Sequence, residues 1–151
     1  MASVLPTSPR GSSAADGGRL CRTVRWVETR VGVGVVVRRA DGRVLVGRRV
    51  AEPARPLAVP GGKLDPGESV EECAARELAE ETGLIVVEAR TFAAVLASGW
   101  VVAGVAVDLV GDDAVPQVRE PDKFGELAWI DPASPPEDLF PATAAVLEHL
   151  V

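Results

Sequence analysis

A chain of 151 residues with 25% charged and 47% hydrophobic residues has the length and composition of one soluble globular domain with its own core. Its net charge of −6 excludes the basic footprint of a general nucleic-acid-polymer binder. It does not exclude a small phosphorylated ligand, because a bound metal can invert the local field.

The segment 1–22 is dominated by Ala, Ser, Gly, Pro and Arg without apolar periodicity. It cannot bury enough surface to offset its ordering entropy, so a disordered tail is expected ahead of a domain spanning 23–151. Its start is no apolar run behind a basic cluster, and Cys21 and Cys73 make no disulfide framework, so a cytoplasmic location is expected. From Val31 to Val37 a glycine-interrupted valine run leads into Ala40-Asp41-Gly42-Arg43 and then Val44 to Val46, which reads as a β-hairpin with an Asp-Gly turn. Residues 50–67 hold four prolines and three glycines, so loops are expected there, with a short strand near Leu57 to Val59.

Ser69 to Thr82 carry the clearest helix signals: a Ser69-x-x-Glu72 capping box at the start and Gly83 as a stop. Strands are expected at about 85–97, 100–110 and 126–131, and a closing helix over Leu139 to Leu150. Residues 91–107 carry no formal charge. A membrane helix needs about 20 apolar residues; this run is shorter, broken at Ser98-Gly99 and rich in valine, so two buried strands joined by a turn are expected instead of a membrane span.

The helix is unusual in its polar pattern. At 100° per residue, Glu81 lies only about 40° from Glu77, and Val70 and Ala74 fall within about 60° of it, so the apolar stripe runs into two carboxylates. Glu80 flanks the same face. Carboxylates aimed at a buried side are strongly penalised unless paired or bound to metal. A solvated acidic face, with Arg76 pairing Glu72 and Glu80, explains the helix alone equally well.

Its flanks decide between the two. Residues 62–84 read Gly62-x5-Glu68-x7-Arg76-Glu77-Leu78-x-Glu80-Glu81-x-Gly83-Leu84. With seven fixed positions at about 0.1 chance each, a random window matches with a probability of roughly 10⁻⁷. The pattern resembles the signature of the Nudix hydrolase family. Val31 to Arg49, Pro60-Gly61-Gly62, and Arg119-Glu120-Pro121-Asp122-Lys123 through Trp129-Ile130 extend the likeness to MutT-type nucleotide pyrophosphatases over roughly 28–150.

The resemblance implies an α/β Nudix fold, a mixed β-sheet sandwiched between α-helices, with the signature forming a loop–helix–loop. It further implies a Mg²⁺- or Mn²⁺-dependent hydrolase acting on a small nucleotide, with Glu77, Glu80, Glu81 and the Gly61 carbonyl as metal ligands. Glu77, Glu80 and Glu126 are the candidate general bases, with Glu120 in reserve, and Arg76 with Glu68 orients the acidic helix. Arg48, Gly62, Lys63, Trp100 and Trp129 are the candidate substrate contacts, with Arg49 beside Arg48 able to meet phosphate while the other is solvated, and Phe124 a further aromatic to stack a base. His149 is expected to have no catalytic role. A nucleic-acid polymer or a membrane is not an expected partner, and a homodimer stays open.

Markers of the ADP-ribose, dinucleoside-polyphosphate, NADH and coenzyme A subgroups are missing: Ser98-Gly99-Trp100 stand where a proline or tyrosine is expected. That leaves nucleoside triphosphates, cleaved to monophosphate and pyrophosphate. Nucleotide sugars, ADP-ribose or a biosynthetic nucleotide are the alternative, and a silent nucleotide sensor is disfavoured because no signature glutamate is lost. Lys63 and Gly125 depart from the subgroup's usual histidine and acid.

Overall fold

A computed structural model describes residues 29–111 and 114–150; the expected tail lies outside them. Valine-rich segments form the strands, as β-branched side chains favour a pleated, buried surface. β1 (Arg30–Val37), β2 (Val44–Arg49), β3 (Leu57–Ala58) and β4 (Gly61–Lys63) precede helix α1 (Val70–Thr82). β5 (Val86–Ala97), β6 (Trp100–Leu109), β7 (Phe124–Ile130) and helix α2 (Pro141–Leu147) follow. A four-stranded mixed sheet has the order β4-β1-β6-β5, with β1 and β6 parallel, and a three-stranded antiparallel sheet has the order β3-β2-β7.

Strand alternation divides the core in two. Val33, Val35 and Val37 of β1 join Cys73, Ala74 and Leu78 of α1 on one face. Val36 joins Val146 and Leu147 of α2 on the other. The mixed sheet is therefore sandwiched between the two helices, as the period of two along each strand requires.

The expected hairpin forms only at its base. Arg39 N donates to Arg43 O and Gly42 N to Arg39 O, and Arg38 bridges Val44, but β1 and β2 then part into different sheets. Both edges of β1 are already taken, by β4 and β6, so β2 pairs with β3 and β7 instead. The two strands expected to be buried also differ: β6 is central and mostly buried, whereas β5 is a sheet edge that leaves Val87 and Leu96 exposed. α2 is shorter than expected, because Pro141 starts it and a looser turn through His149 and Leu150 ends it. Among the described residues no helix is long and apolar enough to cross a membrane.

Candidate active site

α1 begins with the capping box: Ser69 Oγ accepts from Glu72 N at 3.1 Å, and Glu72 Oε2 accepts from Ser69 N at 2.8 Å. That role occupies Glu72, so the Arg76–Glu72 pair of the solvated-face reading does not form. Arg76 instead grips Glu68 with two bonds, Nε to Oε1 at 2.7 Å and Nη2 to Oε2 at 3.0 Å. Its Nη1 reaches Glu77 Oε1 at 2.9 Å and Glu80 Oε2 at 3.4 Å. The bidentate pair ties the loop before the helix to the helix itself. The Arg76 guanidinium holds the Glu68 carboxyl down at about 2, with Asp65 N adding a further bond.

Glu77 and Glu81 are buried, at 5% and 1% exposure, on the face of α1 that meets β4. Gly61 N donates to Glu81 Oε2 at 2.9 Å. Two glycines make this approach feasible. Gly61 has φ +155, and a Cβ there would lie 2.0 Å from Val33 O. A Cβ on Gly62 would lie 2.1 Å from Glu77 Oε1. Burial raises the Glu81 carboxyl to about 7; the Gly61 N–H and Lys123 oppose that shift, and Glu77 and Glu120 add to it. Glu77 Oε2 is buried without a hydrogen-bond partner. Glu80 lies one turn away at the solvent edge, 49% exposed.

The carboxylates converge on a lysine. Lys123 Nζ lies 3.5 Å from Glu77 Oε2, 3.5 Å from Glu81 Oε1 and 3.0 Å from Glu120 Oε2. Burial alone would lower its pKa, but the adjoining Glu120 carboxylate together with the charges of Glu77 and Glu81 raises it above the usual value. Among the described residues no three acidic, histidine or cysteine side chains gather into a ready-made cation cage. Backbone bonds deliver this lysine: Gln117 N donates to Thr82 O and Arg119 N to Glu81 O, both at 3.0 Å. The segment before β7 thus satisfies carbonyls that the end of α1 leaves open.

A cleft of about 550 Å³ opens from these groups. Gly61, Gly62, Glu77, Glu81 and Lys123 line one end, and Arg49, Glu52, Trp100, Phe124 and Phe140 line the rest. Lys63 lines it too, with Nζ 5.8 Å from the centre of the Trp100 ring. Arg49 bonds Glu52 at 2.8 Å and lies 4.4 Å over the Phe140 ring.

Arg76 and Glu80 do not line the cleft, and three further residues expected here, Arg48, Glu126 and Trp129, lie away from it. Arg48 points to the other side of β2, where it bonds Asp138 and Arg55 O and lies 3.5 Å from Glu126. Strand alternation gives the cleft to Arg49 instead. Glu126 is exposed beside Arg48; the β2–β7 register shifts between Gly47 and Arg49, and Phe124 is the β7 residue turned inward. Trp129 pairs with Leu45 and packs on the α1 side of the core, under Arg39. Lys123 and Glu120 carried only a likeness in the sequence, and nothing local placed them on α1. Glu52 and Phe140 were missed; the Arg48-Arg49 pair was expected to meet phosphate, but without a sign of which member faced inward.

The NUDIX domain profile matches residues 28–150. An RNA pyrophosphohydrolase of Caulobacter vibrioides is 50% identical over 60 residues, 39% of this chain and 35% of that one. One from Cereibacter sphaeroides is 38% identical over 79 residues, 52% of this chain and 48% of that one. The chain thus spans about a third to a half of the length of these curated relatives. Among solved structures, the MutT NUDIX hydrolase of Burkholderia pseudomallei is 32% identical with a TM-score of 0.72, covering 83% of this chain and all of that one. With the profile covering most of the chain and the fold shared throughout that structure, the chain is a MutT-like member of the Nudix hydrolase family.

Proposed function

We propose that the protein is a metal-dependent nucleotide pyrophosphohydrolase that converts a nucleoside triphosphate, plain or base-modified, into a monophosphate and pyrophosphate. The observation that carries this reading is Glu77 Oε2, a buried carboxylate oxygen without a hydrogen-bond partner, held so close to the Gly61–Gly62 backbone that a Cβ on Gly62 would displace the carboxylate. A buried, unsaturated carboxylate is costly unless a cation completes it. Glu77, Glu81 and the Gly61 carbonyl are hard oxygen donors suited to Mg²⁺ or Mn²⁺, with Glu80 next to Glu81 on the same helix. When bound, the ion supplies positive charge that polarises the phosphoryl oxygens and offsets charge developing in the transition state.

The chain's own residues supply the rest. Arg76 and Glu68 fix the helix, so Glu77 and Glu81 keep their aim. Glu80 is the preferred general base, because its half-exposed carboxylate has only a long bond to Arg76 and can accept a proton from water. Glu120, the reserve, takes the place of Glu126 among the candidate bases, since it lies with Glu77 and Glu81 around Lys123. Lys63 suits the phosphate chain, and Arg49, Phe124, Phe140 and Trp100 form the walls for the base.

The names of the curated relatives favour a second reading, a triphosphorylated RNA end. A net charge of −6 and Glu52 in the cleft wall favour a single nucleotide, because a polymer needs a basic track. Nucleotide sugars and ADP-ribose remain the third class. Turnover on a panel of triphosphates, 5′-triphosphorylated RNA, ADP-ribose and a nucleotide sugar, in ¹⁸O-water, separates them. Pyrophosphate from free triphosphates supports the proposal; orthophosphate plus a diphosphate, or activity on RNA or sugar nucleotides alone, overturns it. A reducing cytoplasm suits the buried free thiol of Cys73.

A further inference from the structure

Three carboxylates share one ammonium at the inner end of the cleft. Lys123 Nζ is at 3.0 Å from Glu120 but 3.5 Å from both Glu77 and Glu81. The latter distances exceed the roughly 2.9 Å of a good N–H···O bond, so charge is offset while lone pairs stay unfilled. Glu77 Oε2 and Glu120 Oε2 are the direct signs of this, both buried and without a hydrogen-bond partner beside the ammonium.

The lysine is firmly held at its base, while its tip is held only by ion pairs. Lys123 N donates to Glu120 O at 2.9 Å and Lys123 O accepts from Val50 N at 3.0 Å, so the backbone is fixed. The side chain is 47% exposed and lines the open cleft, which leaves room for the ammonium to swing out. A divalent cation bound to the same oxygens could not share that contact distance with a second positive charge without strong repulsion.

We propose that Lys123 is a tethered cation that holds Glu77, Glu81 and Glu120 together in the metal-free protein and must withdraw its ammonium when a divalent ion binds. This rests on the metal-dependent reading above and adds to it a positioning residue that sets metal affinity by internal competition. The lysine keeps three acids from driving the site apart before the ion arrives. The cost is weaker binding of the ion.

The test is Mn²⁺ titration followed by electron paramagnetic resonance on the parent, Lys123→Met and Lys123→Arg, each checked for fold by circular dichroism. Lys123→Met should bind Mn²⁺ about tenfold more tightly, equivalent to about 1.4 kcal/mol, and melt at a lower temperature when metal-free. Lys123→Arg should restore the parent's affinity to within a few-fold. Equal or weaker binding by Lys123→Met overturns the competition while leaving the metal-dependent reading in place. Failure of both the parent and Lys123→Met to bind Mn²⁺ overturns that reading as well. A second measurement needs no variant: acetylation of Lys123 in the parent, followed by mass spectrometry, should speed up in saturating Mg²⁺ compared with NaCl of equal ionic strength. An unchanged rate overturns the proposal even if Lys123→Met fails to fold.

Discussion

Adjacent glycines at 61 and 62 should fail in opposite ways when each is changed to alanine. At Gly61 the new Cβ meets backbone: it would lie 2.0 Å from Val33 O and 2.9 Å from Val33 C, at a φ of +155. Neither β1 nor β4 can yield, since β1 is paired on both edges. Backbone strain of about 1–3 kcal/mol and overpacking of about 1–3 kcal/mol together cost about 2–6 kcal/mol. For a domain of this size that lowers Tm by about 6 °C or more. At Gly62 the φ is ordinary and the Cβ meets the end of a side chain, 2.1 Å from Glu77 Oε1 and 2.3 Å from its Cδ. The carboxylate can move aside by an off-rotamer twist costing about 0.5–1.5 kcal/mol. Displacing a reacting group by about 1 Å can cost about a hundredfold in rate. Gly62→Ala should therefore melt within a few degrees of the parent but lose most of its turnover, whereas Gly61→Ala should lose stability first. Thermal melts by circular dichroism and pyrophosphate release measure the two effects. A Gly61→Ala protein as stable as the parent, or a Gly62→Ala protein as active, would refute the close packing of this loop on α1.

Treatment with EDTA should abolish turnover and Mg²⁺ or Mn²⁺ should restore it; full activity in metal-free buffer sinks the metal-dependent reading. Glu81→Gln should remove most turnover with an unchanged or higher metal-free melting temperature, because its near-isosteric amide oxygen can still accept the Gly61 N–H and one of the clustered charges is gone. Parent-like turnover would exclude Glu81 from the chemistry. Glu68 titrates near 2 when folded, from an ordinary 4.5, because Arg76 bonds its charged form. A depressed carboxyl stabilises the fold above its unfolded pKa and that contribution fades as pH falls from about 4.5 towards 2, so Glu68→Gln should flatten the acid decline in melting temperature. An identical acid slope in both proteins counts against the pair. Burial pushes the Cys73 thiol up to about 12, so it should resist a thiol reagent until the protein unfolds, as read by mass spectrometry of the labelled peptide.

Local signals carried much of the fold. The capping box, Gly83 and the valine runs are short-range devices whose meaning does not depend on distant chain, and their elements lie within a residue or two of expectation. Pairing is not short-range. The Asp-Gly turn made β1 and β2 look like a hairpin, but whether a strand keeps its neighbour depends on what else claims its edges. β4 and β6 claim both edges of β1, and neither is adjacent to it in sequence. Exposure of β5 was hidden for the same reason: composition shows that a strand is apolar, not that it stands last in a sheet.

The candidate site divides along the same line. Glu77, Glu80 and Glu81 share one stretch of α1, so helical geometry arranges them and a periodicity argument reaches them, whereas Glu68, in the loop before the helix, and Arg76 take their roles from the family resemblance. Substrate-side residues sit on strands, where a single position changes the face. Arg48 and Arg49 are adjacent and chemically identical, yet one bonds Asp138 on the surface and the other lies over Phe140 in the cleft. Nothing intrinsic to either arginine selects between them; the β2–β7 register and its shift near Gly47 do. Glu120 and Lys123 depend on a still longer link, the two bonds from Gln117 and Arg119 to the last carbonyls of α1. The charge balance of the site is thus completed by a segment about 40 residues beyond the helix. A reading confined to the signature finds too many negative charges; the structure supplies the missing positive one as Lys123.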